Sequence, residues 1–176
     1  MDRTFPFLTH ENFLLRKIIA NDIAKIYEGL SNPEIIKHYG VSYDSLSATT
    51  TQMDWFNLLK ETNTGIWWAI VNIENTVFYG AIGLNNLSYV HKKAEIGYWL
   101  LPEYWGQKLM KNAIPLVCNY AFDVLKIHRI EALVESENNN SKKLLEKLNF
   151  NFEGRLIDYE IKNGNYISLD SYAKFN

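Results

Sequence analysis

Cysteine is almost absent from this chain. Cys118 stands alone among 176 residues, which excludes an intrachain disulfide framework and any thiolate-rich metal site. Proline is scarce, at 4 residues, and no Pro/Gly/Ser-rich linker, internal repeat or low-complexity run interrupts the sequence. Residues 1–176 therefore read as one continuous domain. Neither sign of charge is in excess. The 18 Lys and Arg are set against 20 Asp and Glu, for a net −2, so the basic surface of a nucleic-acid binder is not expected. No apolar run approaches the roughly 18 to 20 residues of a membrane span. The first ten residues carry Asp2 and Pro6 and lack a signal-peptide core,. With a single cysteine, a cytoplasmic location is the expectation.

What is present is apolar and aromatic material, 47% and 14% of the residues, enough for one buried core. Phe13 to Ile18 reads as a short strand. Asn21 is the expected N-cap of a helix carrying Ile23, Ile26, Tyr27 and Leu30. Pro33 suits the first turn of a second helix over Glu34 to Tyr39. Ser45 or Ser47 opens a third, through Trp55, Leu58 and Leu59. The pattern then becomes β-branched and aromatic: Ile66–Ile73, Val77–Leu87 and Ala94–Leu101 read as successive antiparallel strands. Gln107 to Leu125 follows, with apolar residues three and four apart, as a long amphipathic helix with a kink expected near Lys111–Pro115. Arg129–Glu135 is a strand and Asn139–Leu148 a helix. Phe152–Ile161 and Tyr166–Ala173 form a hairpin around Asn163-Gly164. This order implies a mixed α/β (α+β) fold. Its mostly antiparallel sheet has about six to seven strands flanked by about four helices, with a parallel crossover across the long helix.

One stretch carries chemistry. From Ala94 to Ala113 a strand ends, Pro102 stops it, and a glycine-containing turn delivers the chain into a helix at about Gln107. A helix start leaves backbone N–H groups unpaired and carries partial positive charge. An anionic phosphate satisfies both, and Gly106 lets the backbone approach it closely. Lys108 and Lys111 lie in the first turn, where they oppose the helix dipole unless an anion is present. An ordinary helix start with two solvated lysines stays open on spacing alone.

Several segments in order resemble the GCN5-related N-acetyltransferase superfamily, in its branch of ribosomal-protein alanine acetyltransferases of the RimJ/RimL kind. They are residues 9–17, Ala94-Glu95-Ile96-Gly97-Tyr98-Trp99-Leu100, Tyr104-Trp105-Gly106-Gln107-Lys108-Leu109-Met110, and Asn138 through Ser141 to Phe150 and Glu153-Gly154. Three departures stand out. Lys108 replaces the second glycine of the pyrophosphate turn. Asn149 replaces a glycine at a helix end, where Asn tolerates the left-handed conformation. Leu145 takes the place where many relatives carry a tyrosine that protonates the leaving thiolate.

The resemblance implies an enzyme that transfers acetyl directly from acetyl-coenzyme A to a primary amine, with no metal. The backbone of Tyr98, Trp99, Leu100 and Leu101 would hold the pantetheine arm as an added strand does, and an N–H there would bind the thioester carbonyl. Gly106, Gln107, Lys108, Leu109, Met110 and Lys111 would hold the pyrophosphate. Asn138 and Ser141 would face the pantetheine near sulfur, Ser141 supporting the thiolate; it reads equally as an N-cap. Glu95 is the candidate general base. As a plain surface carboxylate it would instead be solvated or paired with Lys92 or Lys93. His38 and His128 are titratable but more readily structural, Cys118 is a core residue, and Trp67, Trp68, Trp99 and Trp105 are walls of the core or cofactor channel. The expected acceptor is a peptide or protein N-terminus. The alternatives are a small amine such as a polyamine or aminoglycoside, or a non-catalytic coenzyme A-binding domain. The branch also leans towards a homodimer.

Overall fold

The computed structural model describes residues 5–176; the first residues of the N-terminal segment read above, 1–4, lie outside them. Eight strands form one sheet in the order β1-β2-β3-β4-β5-β6-β8-β7. They are β1 (Leu8–His10), β2 (Phe13–Lys17), β3 (Ile66–Val71), β4 (Phe78–Ser88), β5 (Lys93–Leu100), β6 (Arg129–Glu135), β7 (Asn151–Lys162) and β8 (Asn165–Phe175). Every neighbouring pair is antiparallel except β5 and β6. The helices are α1 (Ile23–Leu30), α2 (Pro33–Ile36), α3 (Thr50–Glu61), α4 (Leu109–Asn119) and α5 (Asn139–Lys147).

Side chains alternate across a strand, so the sheet buries both faces. Trp68, Ile70, Ile82, Leu84, Ala94, Ile96 and Ile130 pack with α4 and α5. Trp67, Ala69, Val71, Ala81 and Trp99 pack with α1, α2 and α3. This double burial explains why Ile66–Val71 is a continuous apolar run with no polar alternation,. At Gly29 the fit is close: a Cβ there would lie 2.2 Å from the Trp99 ring, so only glycine lets α1 settle on that indole.

The expected strands and their order are present, and β1 is an addition too short to stand out in sequence. The local corrections have simple causes. Asn21 does not cap the first helix. It lies inside a 3-10 turn (Ala20–Asp22), and the Asp22 carboxylate accepts bonds from the Ile19 amide and a two-pronged Arg16 at 2.7 and 2.8 Å. Asn32 caps α2 through the Glu34 amide at 2.9 Å, and the helix ends at Ile36 before the expected Tyr39. The third helix begins at Thr50, later than the two serines. The long helix stays α-helical through Pro115, and its departure from α geometry falls later, in a π turn over Tyr120–Val124. Asn163 and Gly164 both have positive φ, 51° and 77°, the two-residue turn that an Asn-Gly step favours between strands. No helix among the described residues is long and apolar enough to cross a membrane.

Candidate active site

The parallel pair β5/β6 is short. Its register covers only Lys93–Arg129, Ala94–Ile130 and Glu95–Glu131. Beyond it β5 continues to Leu100 on β4 alone, while β6 continues to Glu135 on β8. The sheet is thus open between them, with one edge of β5 unladdered. In an antiparallel ladder, bonding groups alternate from one side of the strand to the other. The Leu101 amide donates to the Tyr79 carbonyl at 2.9 Å, so Leu101 and Trp99 turn their backbone towards β4. Tyr98 and Leu100 turn theirs to the opening. Of the backbone expected to bind pantetheine, Tyr98 and the Leu100 amide therefore face the opening. The Leu100 carbonyl already accepts the Trp105 indole N–H at 2.9 Å.

Pro102 opens a single 3-10 turn (Pro102–Tyr104) that carries the chain to α4. Two left-handed residues shape the approach: Gly106 with φ +76° and Lys108 with φ +63°, ψ 7°. A Cβ built at Gly106 has no neighbour within 4 Å, so the turn faces open space, with the unpaired N–H groups of the helix start beside it. That cradle fits an anion. Lys108 is the N-cap of α4 and makes no side-chain cap bond. A lysine in this conformation is strained by about 1–2 kcal/mol, because its Cβ crowds the following carbonyl. Lys108 and Lys111 are exposed beside the turn, and the Gln107 amide group donates to the Glu103 carbonyl at 3.0 Å.

At α5 the two readings of Ser141 separate. Asn138 is the N-cap, its side-chain oxygen accepting the Ser141 amide at 3.1 Å. The Ser141 hydroxyl has no capping duty. It sits 2.8 Å from the Tyr98 hydroxyl, joining α5 to the opened half of β5. Burial pushes the Tyr98 phenol up to about 12, with the Ser141 bond pulling the other way. Leu145, one turn further along α5, is fully buried. Asn149 has the left-handed φ of 60° expected at the helix end.

The opposite face of β5 carries Glu95. It is half-buried and pairs with neither Lys92 nor Lys93. Its oxygen accepts the Asn86 amide at 3.0 Å, while Lys93 goes to Glu131 at 3.2 Å. Burial raises the Glu95 pKa, opposed by the Asn86 bond and reinforced by the charges of Glu131 and Glu160. Asn86 reaches it because β4 and β5 slip register between Asn85 and Ser88, and Asn86 itself has φ +50°. Bulges of this kind re-aim side chains. Neither Asn86 nor Glu160 was foreseen, although an Asn-Asn break inside a strand pattern is a visible bulge signal.

The remaining candidates fall elsewhere. His38 lies 3.3 Å from Glu135, which also binds Lys162 at 2.5 Å. Lys162 in turn donates to the Lys37 carbonyl at 2.7 Å, tying the end of α2 to the β7–β8 hairpin. His128 packs at a tilt against Phe175, its ring centroid 5.7 Å away, at the laddered end of β6. Cys118 is buried and its thiol pushed up to about 12 by that burial. Trp67, Trp68 and Trp99 are core, while Trp105 is 46% exposed at the turn. Among the described residues no cluster of His, Cys, Asp and Glu could hold a metal ion.

With this geometry in hand, comparison with known proteins is informative. The pattern of the family described as Acetyltransferase (GNAT) domain matches residues 12–151. An uncharacterized N-acetyltransferase of Bacillus subtilis, YoaA, is 32% identical over 170 residues, 96% of each chain. Among solved structures, the RimL ribosomal L7/L12 alpha-N-protein acetyltransferase superposes with a TM-score of 0.89 at 19% identity, over 100% of this chain and 97% of that one. The spermidine N-acetyltransferase of Vibrio cholerae, in complex with CoA and spermine, superposes with a TM-score of 0.84 at 22% identity, over 94% and 96%. At these identities the two structural likenesses speak for the fold.

Proposed function

This chain belongs to the GNAT acetyltransferase family and is an N-acetyltransferase, and from that premise we propose that it moves acetyl from acetyl-coenzyme A to the terminal amine of a peptide or protein. The observation that supports acetyl-coenzyme A as the donor is the opening between β5 and β6, whose β5 edge leads through Gly106 into the start of α4. A linear ligand with an anionic end fits such a slot: its arm replaces the missing strand and its pyrophosphate takes the helix N–H groups.

When bound, acetyl-coenzyme A supplies an activated acetyl thioester. This chain's residues do the rest. The amides from Gly106 to Met110 anchor the phosphates, with Lys108 and Lys111 adding charge. Tyr98 and Leu100 hold the arm, and a backbone N–H there faces the thioester oxygen, where negative charge builds during attack. Glu95 takes a proton from the incoming ammonium, directly or through water. Its raised pKa makes it a stronger proton acceptor than a fully solvated carboxylate,. Ser141, freed from capping by Asn138, supports the departing sulfur. One domain over 1–176 performs all of this.

The acceptor class rests on the sequence segments that resemble the ribosomal-protein acetyltransferase branch. A second reading, a polyamine acceptor, draws on the charge of Glu131 and Glu160 around Glu95, which suits a polycation. Thiol release from acetyl-coenzyme A, measured with a panel of amines, separates them. Release with peptides bearing a free N-terminus supports the proposal. Release with polyamines or aminoglycosides alone moves the assignment to a small amine. No release with any amine, despite cofactor binding, marks a non-catalytic coenzyme A-binding domain and overturns both.

A further inference from the structure

Leu145 leaves α5 without the hydroxyl that the leaving sulfur would otherwise meet, yet another hydroxyl reaches the same helix. Tyr98 lies on the unladdered half of β5, its backbone turned to the opening and its side chain carried onto the α5 face. The Tyr98 phenol ends 2.8 Å from Ser141 Oγ, and Ser141 stands one helical turn before Leu145 on the same side of α5. Asn138 satisfies the Ser141 amide, so no capping bond competes for the Ser141 oxygen.

We propose that Tyr98 is a positioning residue for acetyl transfer: its O–H donates to Ser141 Oγ, and this turns the Ser141 O–H towards the sulfur of the leaving thiolate. The inference rests on the acetyltransferase reading above. As the amine nitrogen bonds to the acetyl carbon and the C–S bond breaks, the electron pair stays on sulfur. Ser141 donates a hydrogen bond to that sulfur, and Tyr98 donates to Ser141. No proton has to leave either hydroxyl. The amine's proton departs through Glu95, and the thiolate is protonated from water on release.

The pairing has a physical logic. A serine hydroxyl rotates freely and can donate in any direction. When its lone pair is occupied by a fixed phenol, the remaining hydrogen is aimed elsewhere, and linked hydrogen bonds polarise one another. The phenol is held because its ring packs against the core beneath α4 and α5, and burial keeps it protonated at working pH. The titratable neighbours on this side are Cys118 of α4, also held protonated by burial, and Lys174 of β8, whose charge reaches Cys118 and whose ammonium donates to the Leu148 carbonyl at 2.6 Å. A hydroxyl pair of this kind donates a hydrogen bond to a thiolate without giving up a proton to it.

The test combines kinetics with a reading on bound product. The wild type, Tyr98→Phe, Ser141→Ala and the double variant are loaded with coenzyme A, and the thiol of the bound molecule is titrated by ultraviolet thiolate absorbance. The wild type should hold that thiol below the value for free coenzyme A. Both single variants should raise it by about one pH unit, a tenfold change in thiolate fraction. In turnover, kcat should fall about tenfold in each single variant, with KM for acetyl-coenzyme A nearly unchanged, and the double variant should be no worse than Ser141→Ala. Thioesters with more acidic thiols should narrow the gap. An unshifted bound thiol with unchanged kcat in Tyr98→Phe overturns the proposal, as do single-variant effects that multiply in the double variant. Wild-type protein that binds coenzyme A but acetylates nothing overturns the acetyltransferase reading itself, a separable outcome. Circular dichroism melts of each variant identify any that fail to fold, in which case Tyr98→Leu and Ser141→Gly, which also remove the two hydroxyls, repeat the comparison; an unshifted thiol in those folded variants overturns the proposal equally.

Discussion

Glu95 and Lys108 bear opposite relations to their surroundings. Glu95 is half-buried, and burial together with Glu131 and Glu160 raises its pKa. As the proposed base, Glu95 must be ionised to work, so the rate should fall as pH drops through that raised value. Glu95→Gln should lower kcat by about a hundredfold and erase the acid limb of the pH–rate profile; an unchanged profile removes Glu95 from the mechanism. Lys108 pays conformationally for its place, with φ +63° at the N-cap of α4. Lys108→Gly should release that strain and, after the added freedom of glycine in the unfolded chain, stabilise the protein by about 1 kcal/mol. Thermal melting should show a rise of about 2–4 °C. A fall would mean the side chain makes a compensating contact. Lys108 was legible in sequence as an anomaly, because the glycine expected there signals a special backbone. Tyr98 was legible only as backbone, since no spacing rule foretells that a strand tyrosine will meet a helix serine 43 positions away.

At the scale of elements, what holds the candidate site is how strands slip, part and lean on helices. The slip in β4 puts Asn86 over Glu95. Asn86→Gly keeps the left-handed backbone at ease while removing the amide, which is the one nearby hydrogen bond that lowers the Glu95 pKa. The acid limb should therefore move to higher pH, with the plateau rate within a few-fold of wild type; a move to lower pH contradicts this account. On β8, Asp170 is buried and bonds Arg155 of β7 at 2.6 and 3.0 Å and Lys142 of α5 at 3.3 Å. It anchors the start of α5, and hence Ser141, to the sheet. The Arg155 bond holds its carboxyl below the usual range. The stabilisation is therefore complete above the unfolded-state value of 3.8 and is lost as pH falls through the lower folded value. Asp170→Asn should cost about 2 kcal/mol at neutral pH, a penalty that urea unfolding should find shrinking below about pH 4. Strand and helix identities were readable from periodicity, because the two-faced sheet demands continuous apolar runs. The short β1 and the 3-10 turn before α1 were not, since three residues carry too little pattern and Asp22 preferred Arg16 to a cap; the slip in β4 left its Asn-Asn break in the sequence but not the side chain it re-aims.

Across the whole molecule, function follows from one topological fact. The sheet is antiparallel everywhere except at β5/β6, and there the parallel pairing ends after three residue pairs. The gap exposes the edge of a central strand, which a folded protein normally covers, between a helix start on one face and a half-buried carboxylate on the other. The order of elements, and with it the crossover, could be anticipated from the sequence. The divergence of the two strands could not, because strand length and strand pairing are separate properties. Isothermal titration with acetyl-coenzyme A, on the wild type and on folded Gly106→Glu, tests most directly whether this gap is an acyl-coenzyme A slot. The account predicts saturable binding in the micromolar range, weakened at least about tenfold when a carboxylate occupies the open space at Gly106. Absence of binding in the wild type, or equal binding in both proteins, would contradict it.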